Sequence, residues 1–185
     1  SRPPTILFTR HAQDPLPAGQ TTPHLREHHA LWTGSHDTLA AMLAARADVW
    51  AQAPASTGAI ESVRDRSPRV VADLCAGQGT KTRQLAATFP EAEIVATDVD
   101  RTRFAALERA FDGHPRVRVL PPKQAARDLV GRAELTLLDV PCSNTGVLGR
   151  RVEARYRCTR AALERLTGIQ RQLIADAVPM LAARG

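Results

Sequence analysis

Four short apolar runs separated by helical patterns restrict the fold of this chain more than any other feature. Val70-Val71-Ala72-Asp73-Leu74, Ile94-Val95-Ala96-Thr97, Val117-Arg118-Val119-Leu120 and Leu135-Thr136-Leu137-Leu138 read as strands. Helical patterns near Thr82, Arg101 and Gln124 join them. Strands connected through helices run parallel, so the alternation predicts an α/β fold built on a central, mostly parallel sheet. Phe104, Leu107 and Phe111 recur at helical spacing and are expected in its core. A last helix carries Leu163, Leu166, Leu173, Ala177 and Leu181 on roughly one face, and Gly168 and Pro179 predict interruptions and a bend. Before Arg69 the composition shifts to Pro, His and Thr, with a strand expected at Ile6-Leu7-Phe8 and a short helix from Thr38 to Ala45. The chain therefore divides into a segment 1–69 that precedes a core 70–185.

The chemistry sits where strands end. The first strand runs into Cys75-Ala76-Gly77-Gln78-Gly79-Thr80-Lys81-Thr82 and then a helix. Strand, glycine turn and helix N-terminus make a nucleotide cradle, because glycine lets the backbone approach a ligand. Thr82 stands where a dinucleotide fingerprint has its third glycine, so a pyrophosphate ligand is not favoured. Thr80 stands where a P-loop needs a glycine before its lysine, which sets that reading aside. Asp98 ends the second strand about twenty residues past the turn, the spacing at which an acid meets ribose hydroxyls, and Asp100 suits the N-cap of the next helix. A glycine turn and a ribose acid without a diphosphate signature fit S-adenosylmethionine. Lys81, one of only two lysines, opens the first helix and is expected to contact substrate or a backbone carbonyl.

The fourth strand ends in Asp139-Val140-Pro141-Cys142-Ser143-Asn144-Thr145-Gly146. Alone, Cys142 would read as a buried thiol in a strand-to-loop turn. A carboxylate and a thiol beside one ligand also serve pyrimidine carbon-5 chemistry. A thiolate added at carbon-6 makes carbon-5 nucleophilic, and an acid near nitrogen-3 drains the developing charge.

The segments 73–82 and 139–148 resemble the cofactor loop and the Asp-Ala-Pro-Cys-Ser-x-Thr-Gly segment of the Sun/Fmu (Nop/Sun) RNA cytosine carbon-5 methyltransferases. The likeness runs from about Val70 to Gly185 and is strongest to the bacterial 16S ribosomal RNA enzymes. Arg150-Arg151-Val152-Glu153-Ala154-Arg155-Tyr156-Arg157 is similar to that family's arginine-rich loop. Trp50-Ala51-Gln52-Ala53-Pro54-Ala55-Ser56 is a weaker echo, with Ala53 where the family has an aspartate. The resemblance implies a Rossmann-like methyltransferase fold that binds S-adenosylmethionine and methylates ribosomal RNA. Cys75, Ala76, Gly77, Gln78, Gly79, Thr80 and Lys81 would line the cofactor, Asp98 would hold its ribose, and Asp139 would sit between cofactor and cytosine. Cys142 matches the cysteine that assists release of the methylated base. The family's nucleophile is another cysteine, on a strand expected after Gly185, so the chain is expected to be truncated and its sheet incomplete at the C-terminal edge. The family's Pro-Gly-Gly is Gln78-Gly79-Thr80 here, and Pro121-Pro122-Lys123 stands where the family has an acid near the adenine.

Net charge is +6 with a pI of about 10.2, which suits a polyanionic partner. Arg150, Arg151, Arg155 and Arg157 around Tyr156 suit single-stranded RNA, since guanidinium groups clasp phosphates and stack on bases. Three cysteines without metal-like spacing argue for a reducing cytoplasm, no metal and no disulfide framework. Cys158 is expected to be structural and Cys75 to pack under the turn. His24, His28, His29 and His36 are expected to be solvated. No apolar run approaches membrane-spanning length, and a monomer is expected. Two alternatives remain: a DNA cytosine methyltransferase with Cys142 as nucleophile, and a non-catalytic cofactor- or RNA-binding module.

Overall fold

The computed structural model describes residues 4–142 and 159–183. The chain forms two compact units, Ser1–Asp65 and Arg66–Gly185.

The first unit is a four-stranded antiparallel sheet with two helices. Its strands are β1 (Thr5–Phe8), β2 (Thr21–Pro23), β3 (His29–Trp32) and β4 (Trp50–Ala51), in the order β2-β3-β1-β4. Helix α1 spans His36–Ala45 and α2 spans Pro54–Glu61. Leu7, Trp32, Leu39 and Val49 form one buried cluster. Phe8, Trp50 and Ile60 are also buried. Ser35 caps α1 by accepting the Thr38 N–H, which fixes where that helix starts. Ala53 occupies the cap of α2 and offers no side-chain acceptor. The sequence pattern anticipated β1 and α1 only. The other three strands are two to four residues long, and α2 (Pro-Ala-Ser-Thr-Gly-Ala-Ile-Glu) has too few large apolar residues to show a helical period.

The second unit follows the alternation. Its elements are β5 (Val70–Asp73), α3 (Thr80–Thr88), β6 (Glu93–Ala96), α4 (Arg101–Ala110), β7 (Val117–Val119), α5 (Pro122–Asp128), β8 (Leu135–Leu137) and α6 (Arg160–Ala177). The sheet is parallel throughout in the order β7-β6-β5-β8. Ala72, Val95, Leu129, Ala133, Ala177 and Met180 share one buried cluster. Leu107 and Phe111 are buried as expected, under the glycine turn. After β5 the chain adds β6 and β7 on one side, then returns to place β8 on the other. Such a reversal opens a crevice beyond the strand C-termini, the position at which open α/β sheets bind ligands.

Of the two interruptions expected in the last helix, one is absent and one is present. Gly168 does not interrupt α6, which runs unbroken for 18 residues, because one glycine costs a helix about 1 kcal/mol without breaking it. Pro179 does end it, in a 3-10 turn at Val178–Met180. Leu163, Ile174, Val178 and Leu181 are exposed. Beside β8, the described residues offer only a parallel bridge between Ala133 and Leu181.

Candidate cofactor and base site

The crevice is built from the ends of β5, β6 and β8 and the first turn of α3. After β5 the chain turns through Gly77 (φ 61°) and Gly79 (φ 92°), a region that side-chain-bearing residues avoid. The two glycines are needed for different reasons. A methyl group on Gly79 would lie 2.5 Å from Phe111 Cε2 and 2.9 Å from Leu107 Cδ1, so the turn packs its back against α4. A methyl group on Gly77 would meet nothing within 4 Å, so that glycine faces open space. The Ala76 N–H donates to Thr97 O (3.0 Å), tying the turn to the end of β6.

Asp98 anchors the turn. Its Oδ2 accepts the Gly77 N–H and its Oδ1 the Asp100 N–H, both at 2.8 Å. It is nearly buried, so the expected ribose acid also fixes the loop it was expected to serve. Asp100 caps α4 by accepting the Arg103 N–H, as its position suggested.

Lys81 meets a carboxylate. Its Nζ lies 2.6 Å from Asp139 Oδ2, forming an ion pair between the start of α3 and the residue that follows β8. Neither a substrate nor a carbonyl is needed to explain its position, because a carboxylate is the stronger partner. The Lys81 side chain is largely covered, whereas that of Asp139 is about half exposed and faces the crevice mouth.

One buried acid escaped the sequence reading. Asp73, at the end of β5, is fully buried. Its Oδ2 accepts the Thr82 hydroxyl at 2.7 Å, and its Oδ1 is buried without a partner. Burial pushes this carboxyl up to about 7, the Thr82 hydrogen bond pulls it down, and Asp139 and Asp98 add repulsion that Lys81 partly offsets. The available signal was an acid closing an apolar strand just before a glycine turn. Thr82, where a dinucleotide site would carry glycine, is itself buried and supplies this hydroxyl.

Cys75 is half-buried, and burial, followed by Asp98, Asp73 and Asp139, pushes its thiol up to about 11. It therefore stays protonated at neutral pH. Ala76 is buried, while Gln78 and Thr80 are exposed on the rim. Cys142 is exposed, and the loop just before it is held by Gln170 of α6, whose Nε2 donates to Pro141 O at 2.9 Å. Asp139 and Cys142 thus stand three residues apart at the end of β8. Arg150, Arg151, Arg155, Tyr156, Arg157 and Cys158 lie outside the described residues.

A family model described as 16S rRNA methyltransferase RsmB/F matches residues 63–185. The chain belongs to that family. The match begins three residues before the second unit and includes every residue of the crevice. Among relatives, a ribosomal RNA small subunit methyltransferase B of Thermus thermophilus is 33% identical over 152 residues, spanning 80% of this chain and 35% of the relative. The corresponding protein of Serratia proteamaculans is 27% identical over 150 residues, spanning 75% of this chain and 34% of the relative. The chain thus spans about a third of the length of these RsmB relatives. Among solved structures, the protein PH0851 superposes with a TM-score of 0.73 at 26% identity, covering 88% of this chain and 38% of that one. NSun6 of Pyrococcus horikoshii superposes with a TM-score of 0.57 at 23% identity, covering 73% and 35%, a likeness of fold. The Rossmann-like methyltransferase architecture of the RsmB/F family is therefore the architecture of the second unit. Among the described residues no cluster of His, Cys, Asp or Glu is placed to hold a metal ion, and no helix is long and apolar enough to cross a membrane.

Proposed function

We propose that this chain carries the cofactor site of an S-adenosylmethionine-dependent enzyme that methylates carbon-5 of a cytosine in ribosomal RNA. The observation that carries the reading is the Lys81–Asp139 pair, which fixes an acid beside Cys142 at the mouth of the strand-reversal crevice. The open space over Gly77 is the gap a Cβ would fill, and it fits a ligand lying against the turn backbone. Bound there, S-adenosylmethionine supplies an electrophilic methyl group. The backbone of 75–80 would line it, and Asp98 would accept its ribose hydroxyls through the lone pairs its two backbone bonds leave over.

Lys81 orients Asp139. Asp139 then faces the cytosine ring, where its protonated form donates to nitrogen-3 and offsets the negative charge that builds there as carbon-6 is attacked. Within the reading, the attacking thiolate belongs to the family's other cysteine, and Cys142 acts after methyl transfer. At that stage carbon-5 loses its proton and the carbon-6–sulfur bond breaks, which restores the aromatic ring. The arginines at 150, 151, 155 and 157, with Tyr156, would hold the RNA strand and let the target base leave its stack. The enzyme is taken to act in the cytoplasm, as a monomer and without metal.

Titration calorimetry of the chain with S-adenosylmethionine tests the cofactor half. Asp98→Ala should weaken binding about tenfold, as expected for loss of charge-assisted hydrogen bonds and of the turn's anchor. Equal affinity in the variant would remove Asp98 from the site. In a protein that also carries the family's second cysteine, Cys142→Ala should trap a covalent protein–RNA adduct on a denaturing gel. Loss of both adduct and turnover would make Cys142 the attacking thiol instead.

A further inference from the structure

The first unit contains a cavity that the methyl-transfer reading does not use. It has a volume of about 660 Å³ and lies between the β2–β3 tip and the first turns of α2. Arg10, His24, Arg26, His28 and His29 line it, with Glu27 as the acid on its wall. The chain concentrates imidazole and guanidinium planes here as nowhere else among the described residues.

The lining is organised. His29 Nδ1 donates to the Glu27 carbonyl at 2.9 Å, and its Nε2 lies 3.3 Å from Thr57 Oγ1, a hydroxyl that also donates to Pro54 O at 3.0 Å. Phe8 packs against the imidazole with centroids 5.2 Å apart. Burial lowers the pKa of the His29 ring below its ordinary value. Arg10 pairs with Glu61 at 2.6 Å through Nη2, yet its Nε is buried without a partner. Arg26 is exposed on the tip, and its guanidinium has no carboxylate partner among the described residues. Leu25 beside it is fully exposed, and His28 is held at φ 60°, which glycine would adopt more cheaply. Glu27 lies 3.4 Å from His28 Nε2 and is largely solvated.

We infer that this cavity takes one unpaired RNA nucleotide, its base against the imidazoles of His28 and His29 and its phosphate on Arg26 at the rim. The volume is large enough for one nucleotide. Flat side chains with donor and acceptor edges are what unstacked bases dock on, and a guanidinium without a partner is what a phosphate seeks. The exposed Leu25 offers a small apolar edge beside the base. The inference takes RNA as the partner from the proposed function but places the contact in residues that the family match does not cover.

Fluorescence anisotropy of the full chain with a short, unstructured RNA oligonucleotide, alone and annealed as a duplex, tests it across a salt series. Single-stranded RNA should bind more tightly than the duplex. Arg26→Ala should weaken single-strand binding about five- to tenfold and reduce the magnitude of the salt slope by about one. His28→Ala should weaken it about fivefold or more with an unchanged slope, the signature of a lost stacking contact. Both residues are on the surface tip, and unchanged tryptophan emission would establish that the variants fold. Calorimetry with S-adenosylmethionine runs in parallel. Unchanged cofactor binding with weakened RNA binding supports the site, and it does so even where methyl transfer is absent. RNA affinity and salt slope equal to wild type in both variants overturn the site while leaving the methyltransferase reading intact. A wild-type chain that binds no RNA, or binds only duplex, also overturns it.

Discussion

The two units of this chain divide its chemistry unevenly. The first 65 residues hold five of the six histidines, both tryptophans, and five arginines against six carboxylates. The remainder holds all three cysteines, both lysines, and 20 basic residues against 13 acids. The first unit is thus near neutral and built around aromatic and imidazole contacts, such as His11 stacked on Trp50 at 6.0 Å and Phe8 against Trp50 at 5.4 Å. The second is strongly basic outside, yet buries a carboxylate at its centre. A small antiparallel sheet needs large rings to fill its core, whereas a parallel sheet covered by helices fills with Val, Ile, Ala and Leu. The functional acids then gather where the parallel strands end. The tryptophans report on the first unit alone, so the two units can be followed separately.

The largest effect that would test this division is Gly79→Ala. The methyl group must adopt φ 92° and push into Phe111 and Leu107, both buried. Strain and overpacking together should cost the second unit about 3 kcal/mol. Gly77→Ala has only the backbone term, about 1 kcal/mol, because nothing stands near its Cβ. Urea unfolding followed by circular dichroism should show a lower midpoint for Gly79→Ala, while the tryptophan transition stays in place. A tryptophan midpoint that moves with it would break the division and make the chain one cooperative body.

The second test uses acid, to which the units should respond with opposite sign. Asp73 is raised from an ordinary 3.8 to about 7 in the fold. Between those values the folded state holds a proton that the unfolded state has lost, so stability falls as pH rises from about 4 to 7. In the first unit His11 and His29 lie below their ordinary 6.5, mainly through burial. There the unfolded chain takes protons first, and stability falls as pH drops below 6.5. Asp48 lies well below its ordinary range through its hydrogen bond with Arg46, so its contribution is lost below about 4. His114, lowered by burial and Arg116, opposes Asp73 within the second unit. Asp73→Asn isolates the larger contribution, and it should flatten the second unit's pH dependence without touching the tryptophan transition. Equal pH profiles for wild type and variant would show that Asp73 is ionised throughout.

The same contrast decides what could be read from the sequence. The alternation after Arg69 gave all four parallel strands, because each is a short, mostly apolar run bounded by turn residues. Gly77, Gly79, Asp98 and Asp139 were legible because their spacing from strand ends is fixed by the fold. The Lys81–Asp139 pair was not, since its partners lie 58 residues apart and meet only through the strand reversal. Asp73 was hidden for another reason: an acid at a strand end looks solvated until the sheet closes over it. In the first unit the short strands carry too few residues for a period of two to emerge, so only β1 was visible among them.

A third, smaller effect sharpens the view of the first unit. Ala53 sits at the cap of α2 with extended backbone (φ −79°, ψ 150°) but without a side-chain acceptor. Ala53→Asp supplies that acceptor in a geometry already suited to it and should stabilise the first unit by about 1 kcal/mol. The tryptophan transition should shift to higher urea and the second unit should not respond. No shift would mean that the α2 N-terminus is satisfied in some other way.

The smallest expected effect is His28→Gly, and its smallness is informative. Holding a side-chain-bearing residue at φ 60° costs about 1 kcal/mol, which glycine would recover. Glycine also adds freedom to the unfolded chain, and that loses about 0.5–1 kcal/mol. The ion contact with Glu27 at 3.4 Å is too exposed to add anything measurable. The two backbone terms nearly cancel, so the tryptophan transition should move by less than about 0.5 kcal/mol. RNA affinity should nevertheless fall as it does for His28→Ala, because both remove the ring from the cavity. A stability gain well above 1 kcal/mol with unchanged RNA binding would mean that the strained histidine serves neither folding nor the ligand, and the cavity would lose its best-placed ring.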